Sequence, residues 1–408
     1  MVSKIILEKQ CRYRKIYKEK IRNVIMDIIK GKNVFTGEAI AVTLENDHIA
    51  RMEPCDSSSD LPYISPGFLD MQVNGYHGVD YSLDDLEEEQ ISSLVRNLTK
   101  SGTTRHVPTF VSMPHERLLR NIRILRKAIR RSPLLKLSIV GLHIEGPFIS
   151  KEDGPRGAHD PKFVRDPDFS LFEQWQEAAE GTIRYITLAP ELEGALDFIR
   201  KVVASGVKVS IGHTGASPDK IREAIAAGAT LSTHLGNGSH TTVPRLRNYI
   251  WEQLAADELT AGIICDGYHL PPAVVKVFAR AKGLGNLILV SDVALLGGFD
   301  AGFYKWGNLD VQVFEDGHLG LPGTSILAGA AHLLNWDIAR FIEFTGCSLP
   351  ETIGLCTKNP VRFLDLTDVP ENFLKEGEMT NICVFDYQPK IDRLHIVRTQ
   401  LGNHVLFN

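Results

Sequence analysis

The chain has 408 residues, of which 43% are hydrophobic and 23% charged, and its formal net charge is −5. This length fits one large domain with a smaller lobe, and the composition is that of an ordinary globular protein. The mildly acidic balance argues against nucleic-acid binding but leaves room for a small anionic substrate beside local basic residues. No apolar run is long enough to cross a bilayer, so no membrane span is expected.

Residues 1–30 are basic, with nine lysines and arginines against three acidic side chains, and contain no apolar stretch typical of a secretory signal. A basic arm or an organelle transit peptide is an alternative to an ordinary first helix or strand. The 6 cysteines are scattered without a CxxC pair. This pattern argues against a cysteine-rich zinc site and favours a reducing compartment, so we expect a cytoplasmic protein.

Residues 31–65 contain β-branched runs between glycine-rich breaks, which predict short strands and turns. From Ile64 onward, short apolar runs alternate with longer amphipathic stretches, the pattern of parallel β/α units. Eight such units close a barrel. The predicted strands are Ile64–Asp70, Thr104–Val107, Leu137–Leu142, Ile183–Leu188, Val207–Ile211, Thr230–Thr233, Ala261–Cys265 and Leu287–Ser291.

Helices are predicted between most of these strands, at Leu86–Ser101, His115–Arg131, Ala195–Ser205, Pro218–Ala227 and Pro272–Lys282. Gly297–Pro322 is predicted to be irregular, residues 323–346 to be helical, and residues 377–408 to return to strands. The predicted fold class is α/β: a (β/α)₈ TIM barrel of residues 66–359, with a small β-sandwich lobe formed by residues 1–65 and 360–408.

Polar side chains collect where the predicted strands end, which is where barrels carry their functional groups. They are Gln72, Asn74, His143, Glu145, His213, His234, Asp266, His269 and Asp292. Scattered hydrophilic residues would not follow strand ends so regularly. The pattern therefore predicts an active site on this face.

Three of these residues supply one carboxylate and two imidazoles: Glu145, His213 and His234. This set suits a catalytic Zn²⁺ with an open position for water, and it suits Fe²⁺ as well. Asp292 is the candidate proton carrier, with a helix N-cap as its ordinary alternative. His143 is predicted to support the site or the fold, because Ile144 separates it from Glu145.

Several motifs occur in the order typical of one family. They are PGFLDMQVNG (Pro66–Gly75), GLHIEGPFIS (Gly141–Ser150), GAHDP (Gly157–Pro161), TLAPE (Thr187–Glu191), IGHTGAS (Ile211–Ser217), THLGN (Thr233–Asn237), DGYHL (Asp266–Leu270), SDV (Ser291–Val293) and ILAG (Ile326–Gly329). By these motifs the chain resembles the N-acetylglucosamine-6-phosphate deacetylases of the amidohydrolase superfamily, from about residue 31 to the C-terminus. The resemblance implies metal-dependent removal of the acetyl group from N-acetylglucosamine 6-phosphate, giving glucosamine 6-phosphate and acetate.

The resemblance also implies roles for individual residues. Glu145, His213 and His234 match the metal ligands, and Asp292 matches the catalytic acid and base. Many relatives carry a HxH pair after the first strand and hold a second metal, but this chain has Gln72 and Asn74 there. It therefore resembles the one-metal branch, with zinc favoured and iron as the alternative.

Substrate contacts are implied at His159, Asn237, Gly238, Arg245, His269 and Leu327, with Gly329 in the same acyl-covering segment as Leu327. Arg245 lies eleven residues after His234, where relatives place a phosphate-binding arginine that often reaches a neighbouring subunit, so a homodimer is expected. Relatives usually read THLFNAM, with HREPG further on. Here the chain reads THLGNGSHTTVPRLRN instead, so Arg247 competes with Arg245 for the phosphate role.

Other functions fit parts of the same pattern. Another deacylase of the superfamily would act on a different N-acyl sugar or an N-acyl amino acid. A non-haem iron oxygenase also uses two histidines and one carboxylate, although Asp292 and the eight-strand pattern argue against it. A non-catalytic ligand-binding barrel is the alternative outside enzymes.

Overall fold

The computed structural model describes residues 26–56, 60–306, 309–324, 327–367 and 374–408. The basic residues 1–25, on which the prediction of an arm or transit peptide mainly rests, lie outside these ranges. Within them, no helix is both long and apolar enough to cross a membrane.

Eight parallel strands form one sheet in which each strand pairs with the next along the chain. The sheet closes on itself, because Asp292 N donates to Gln72 O at 3.0 Å and a parallel bridge joins Val73 to Val293. The predicted (β/α)₈ barrel is therefore confirmed. Barrel strands one to eight are Phe68–Val73, Thr103–Phe110, Leu142–Glu145, Ile183–Leu188, Lys208–Ile211, Ala229–Ser232, Thr260–Ile263 and Leu287–Leu289.

Helices cover the outside of the barrel because each buries one apolar stripe, as Ile91, Leu94, Val95 and Leu98 do at helical spacing in the first of them. In the described ranges the α-helices are Glu88–Thr99, His115–Arg131, Pro133–Ser138, Phe169–Ala178, Ala195–Ala204, Pro218–Ala227, Tyr249–Ala255, Pro272–Lys282, Leu334–Thr345, Leu349–Gly354 and Lys358–Phe363. A 3₁₀ turn, Leu284–Asn286, precedes barrel strand eight.

The two β-rich ends of the chain pair with each other, as predicted. They form one seven-stranded sheet in which Cys383 pairs with Ser65 across an antiparallel contact. Its strands are Met26–Asn33, Ala39–Glu45, His48–Pro54, Tyr63–Pro66, Asn381–Asp386, His395–Leu401 and His404–Phe407. The domain boundaries at residues 65 and 360 stay a prediction.

Four predicted elements differ from the structure. The strand predicted at Leu137–Leu142 is mostly helix Pro133–Ser138, because Ser132 caps it by accepting from Leu135 N and a proline begins it. The strand predicted at Ile64–Asp70 is two strands, one in the terminal sheet and one in the barrel. The helix predicted over 323–346 begins only at Leu334.

The fourth difference is the segment predicted to be irregular. It forms a small antiparallel sheet of Gly302–Trp306, Leu309–Val313 and Leu319–Gly320, and a further hairpin pairs Gly75–Tyr76 with Val79–Asp80. Val311, Val313 and Leu319 are buried against Leu296 and Ala328. Tertiary packing therefore orders this segment where local pattern does not.

Asp80, in the hairpin that pairs Gly75–Tyr76 with Val79–Asp80, should make the stability of the fold decrease as pH rises. The side chain is 4% exposed, and burial raises its pKa from 3.8 to about 7 despite a hydrogen bond from Ser82 N. Because the carboxyl group ionises at a lower pH in the unfolded chain than in the folded one, stability falls as pH rises. The free energy of unfolding decreases by about 1.4 kcal/mol for each pH unit between about 4 and 7. Asp80→Asn should therefore gain in Tm relative to wild type between pH 4.5 and 7.5. Parallel Tm profiles for the two proteins would contradict this.

Candidate metal centre

Three buried donor groups meet at the carboxyl ends of barrel strands three, five and six. Glu145 Oε1 lies 3.1 Å from His213 Nε2 and 3.0 Å from His234 Nε2, and the two ring nitrogens are 3.1 Å apart. The donor atoms of a tetrahedral zinc ion with bonds of about 2.0 Å lie roughly 3.3 Å from one another. These side chains thus have the composition and spacing of a metal site, and all three are buried.

The orientation of His213 leaves one nitrogen for a metal. Its Nδ1 lies 2.9 Å from the carbonyl oxygen of Pro155, which can only accept, so Nδ1 carries a proton and Nε2 is the nitrogen available to a metal. His213, His234 and Asp292 have positive φ angles of 51°, 29° and 51°. Such backbone strain is uncommon outside glycine and clusters at functional sites.

Asp292 lies beside this cluster and is held by two amides of barrel strand one and its following loop. Its Oδ1 accepts from Gln72 Nε2 at 2.9 Å and from Asn74 Nδ2 at 2.7 Å. Gln72 Nε2 also donates to Glu145 Oε1 at 3.1 Å, so one amide bridges the two carboxylates. Gln72 and Asn74 point donor nitrogens at the site, whereas a metal requires a lone pair.

The two carboxylates of the site have opposite pKa shifts. Burial, and then the charge of Glu145, raise the pKa of Asp292 to about 6. Burial by itself would also raise the pKa of Glu145, but hydrogen bonds with His213 and His234 bring it well below its usual range. A carboxylate that stays ionised suits a ligand, and one that titrates near neutrality suits proton transfer.

His143 is not one of the three clustered donors and instead contacts threonines of the two neighbouring barrel strands. Its two ring nitrogens lie 3.1 Å from Thr109 Oγ1 and 2.7 Å from Thr187 Oγ1, and its ring stacks on Tyr185 at 3.9 Å. Burial lowers its pKa to about 3, so the ring is neutral. Both nitrogens are occupied, which fits a structural position.

Several of the predicted substrate contacts surround the cluster. The His159 ring lies 4.5 Å from that of His213, and Ser112 Oγ holds its Nδ1 at 2.8 Å. His269 Nδ1 is 2.7 Å from Asp266 Oδ2. Asn237 Nδ2 is buried without a hydrogen-bond partner in the described part of the chain.

The remaining predicted contacts lie on connecting segments. Leu327 bridges to Gly320 of the small sheet, while Ala330 of the same segment bridges to Val293, next to Asp292. Arg245 and Arg247 are both exposed, and among the described residues neither has an ion pair. The structure therefore leaves both arginines outside the donor cluster.

Sequence reasoning did not identify the groups that support the site. Asp70 is fully buried and its Oδ1 accepts from Ser291 N and Gln72 N, each at 3.2 Å, which ties barrel strands one and eight together. Pro155 fixes His213 through a backbone carbonyl, for which no sequence signal exists. Asp70, by contrast, lies in the motif PGFLDMQVNG, so the sequence did contain a signal for this residue.

Comparison with known proteins identifies the family. The sequence is 31% identical to the N-acetylglucosamine-6-phosphate deacetylase of Bacillus subtilis (strain 168) over 305 residues, covering 74% of this chain and 76% of that protein. It is also 31% identical to the deacetylase of Bos taurus over 362 residues, covering 84% and 83% of the two chains. The chain belongs to the N-acetylglucosamine-6-phosphate deacetylase family. No family model matches the sequence.

A solved structure of an N-acetylglucosamine-6-phosphate deacetylase supports the same assignment. The structure of a mutant enzyme from Mycobacterium smegmatis in complex with N-acetyl-D-glucosamine-6-phosphate is 27% identical, with a TM-score of 0.81, and covers 94% of this chain and 100% of that one. Membership of this deacetylase family favours amide hydrolysis over dioxygen chemistry and over a non-catalytic barrel.

Gly238 packs directly against the ring of His213. Here its φ is +55°, and a Cβ would lie 2.8 Å from His213 Nδ1. Gly238→Ala should displace the His213 ring and weaken metal binding about ten- to hundredfold, as other losses of ligand support do. Chelator competition measures this, with Ser239→Ala as the control. Equal metal affinity in the two variants would contradict the expectation.

Proposed function

We propose that this protein hydrolyses the N-acetyl amide of N-acetylglucosamine 6-phosphate to glucosamine 6-phosphate and acetate. The observation that carries the proposal is the buried Glu145–His213–His234 cluster with Asp292 beside it, in a chain of the deacetylase family. Of the alternatives, a deacylase for another N-acyl sugar or an N-acyl amino acid is the nearest, because the loop after His234 departs from the usual motif.

A divalent transition metal held by Glu145, His213 and His234 would lower the pKa of water and polarise the amide carbonyl. Two imidazoles and a carboxylate favour Zn²⁺, and Fe²⁺ is the alternative that the same ligands allow. The fit rests on the 3.0–3.1 Å spacing of the donor atoms and on the Pro155 contact that frees His213 Nε2.

We expect one tightly held metal per chain. Gln72 and Asn74 occupy the positions where relatives with two metals carry histidines, and both direct amide nitrogens at Asp292. Those N–H groups cannot ligate a cation. Elemental analysis of the purified protein should give a ratio near one. Two well-occupied ions per chain would contradict the proposal.

Asp292 carries the proton in this scheme. Its carboxylate takes a proton from the attacking water and returns it to the nitrogen as the C–N bond breaks, so that an amine leaves. Gln72 and Asn74 hold Oδ1, which leaves Oδ2 for the reacting groups. A pKa raised to about 6 by burial lies close enough to neutrality for both transfers.

The sugar and its phosphate would contact the residues around this centre. His159, Asn237, Gly238 and His269 are proposed sugar contacts, and Leu327 is proposed to cover the acyl group. Arg245 is the proposed phosphate ligand, since a guanidinium binds phosphate oxygens in pairs. Neither arginine at 245 or 247 is engaged by an acid among the described residues, which leaves both available.

A substrate panel tests the proposed function. Acetate release is measured from N-acetylglucosamine 6-phosphate, from N-acetylglucosamine, and from N-acetylated amino acids, using the metal-loaded protein. The phosphorylated sugar should give the highest kcat/KM. Preference for an acyl amino acid, or for the unphosphorylated sugar, would reject the substrate while leaving the amidohydrolase chemistry in place.

We also propose that the protein is a cytoplasmic homodimer. Leu246 and Trp251, which follow Arg245, are 76% and 47% exposed, and a second subunit would cover such a patch. The cysteines of the described residues are free thiols, as expected in a reducing compartment. Light scattering after size exclusion would measure the assembly, and cell fractionation would test the compartment.

A further inference from the structure

His240 lies at a junction of three segments, which follow barrel strands three, five and six. Its Nε2 lies 2.8 Å from Glu152 Oε2, in the loop after strand three. A Cβ on Gly215, after strand five, would lie 2.8 Å from His240 Cε1, so the ring packs closely against this glycine. His240 itself belongs to the loop after strand six. The ring therefore connects the loops that follow the three strands from which the metal donors come.

Tyr249 holds the other side of the His240 ring. This tyrosine is 4% exposed, and its hydroxyl oxygen accepts from His240 N at 2.9 Å and lies 3.1 Å from His240 Nδ1. With the ring proton on Nε2, the tyrosine hydroxyl donates to Nδ1, and Nε2–H donates to the carboxylate of Glu152. One arrangement of protons thus satisfies all these groups, and it holds the ring in one orientation.

Glu152 begins the turn that carries Pro155. Its carbonyl oxygen accepts from Arg156 N at 2.9 Å, which closes the turn. Gly154, within the turn, has a φ of +92°, and a Cβ there would lie 3.1 Å from His240 Cα. The turn and the loop of His240 are therefore packed backbone against backbone, and the contact between the two side chains joins them a second time.

The segment that contains this turn holds the metal ligand His213 at two points. Ser150 N donates to His213 O at 2.9 Å, and Pro155 O lies 2.9 Å from His213 Nδ1. Glu152 lies between these two contacts along the chain. A shift of the turn would therefore move the carbonyl group that orients the His213 ring, and the ring's Nε2 would move with it.

We propose that His240 is a positioning residue for the metal centre, which acts through Glu152 and Pro155 to keep His213 in its metal-binding orientation. This inference rests on the metal centre of the proposed function. The side chains of His240 and Glu152 are 30% and 68% exposed, so their contact stabilises the turn only modestly. Its loss should weaken metal binding about three- to tenfold rather than abolish it.

Chelator competition on the full-length protein, with Zn²⁺ as the probe ion, tests the proposal. His240→Ala and Glu152→Ala should each weaken Zn²⁺ binding about three- to tenfold. The double variant should bind Zn²⁺ as His240→Ala does, because both changes remove the same contact. His240→Gln should recover most of the affinity, since its side-chain amide nitrogen can still donate to Glu152.

His48→Ala is the matched control, because His48 is also an exposed histidine beside a carboxylate, that of Asp47, but lies in the terminal sheet. Its Zn²⁺ affinity should equal that of wild type. Wild-type affinity in His240→Ala, or losses that add in the double variant, would overturn the proposal and leave the metal centre in place. Failure of the wild-type protein to bind Zn²⁺ would instead overturn the metal centre of the proposed function, and this inference with it.

Discussion

Asp292→Asn should lower kcat for acetate release by about 10²–10⁴-fold, the usual contribution of a general acid–base group. Asparagine has nearly the same volume, and its amide oxygen can still accept from Gln72 Nε2 and Asn74 Nδ2, as Asp292 Oδ1 does at 2.9 and 2.7 Å. It cannot take up the proton of the attacking water. The fold and the metal site should therefore persist while turnover is lost.

Metal content and Tm are the controls for this variant. Metal content should match wild type, because Asp292 is not among the three donor atoms that meet at the cluster, and Tm should not fall below that of wild type. A loss of metal would mean that Asp292 also acts as a ligand. Wild-type kcat in a metal-loaded Asp292→Asn protein would remove this residue from proton transfer altogether.

Arg245→Ala should raise KM for N-acetylglucosamine 6-phosphate by about one to two decades. A charge-assisted contact with an anion contributes roughly 1.5–3 kcal/mol, and each 1.4 kcal/mol is a factor of ten. The KM for unphosphorylated N-acetylglucosamine should change little, because that sugar lacks the group that Arg245 is proposed to bind. Steady-state kinetics on both sugars separate phosphate recognition from general damage.

Arg247→Ala is the matched control, since Arg247 lies two residues away and is exposed, as Arg245 is. If Arg247→Ala raises KM and Arg245→Ala does not, the phosphate role moves to Arg247. If neither variant selectively raises KM for the phosphorylated sugar, the phosphate is bound elsewhere. Loop 238–257 would then recognise a different group of the substrate.

The barrel and the members of the donor cluster were predictable because their signals are local. Alternating apolar runs and amphipathic stretches repeat along the chain, and parallel strands of one barrel bring their carboxyl ends to one face. Glu145, His213 and His234 each follow a strand, so topology alone brings them together. Element ends were less predictable, as the capped helix Pro133–Ser138 shows.

The sequence by itself determined the fold class, the donor types and the chemistry that these donors allow, because periodicity and residue type are written along the chain. Only the tertiary structure decided what depends on contacts between distant residues. The orientation of His143 towards Thr109 and Thr187 and the tautomer of His213 set by Pro155 are of this kind.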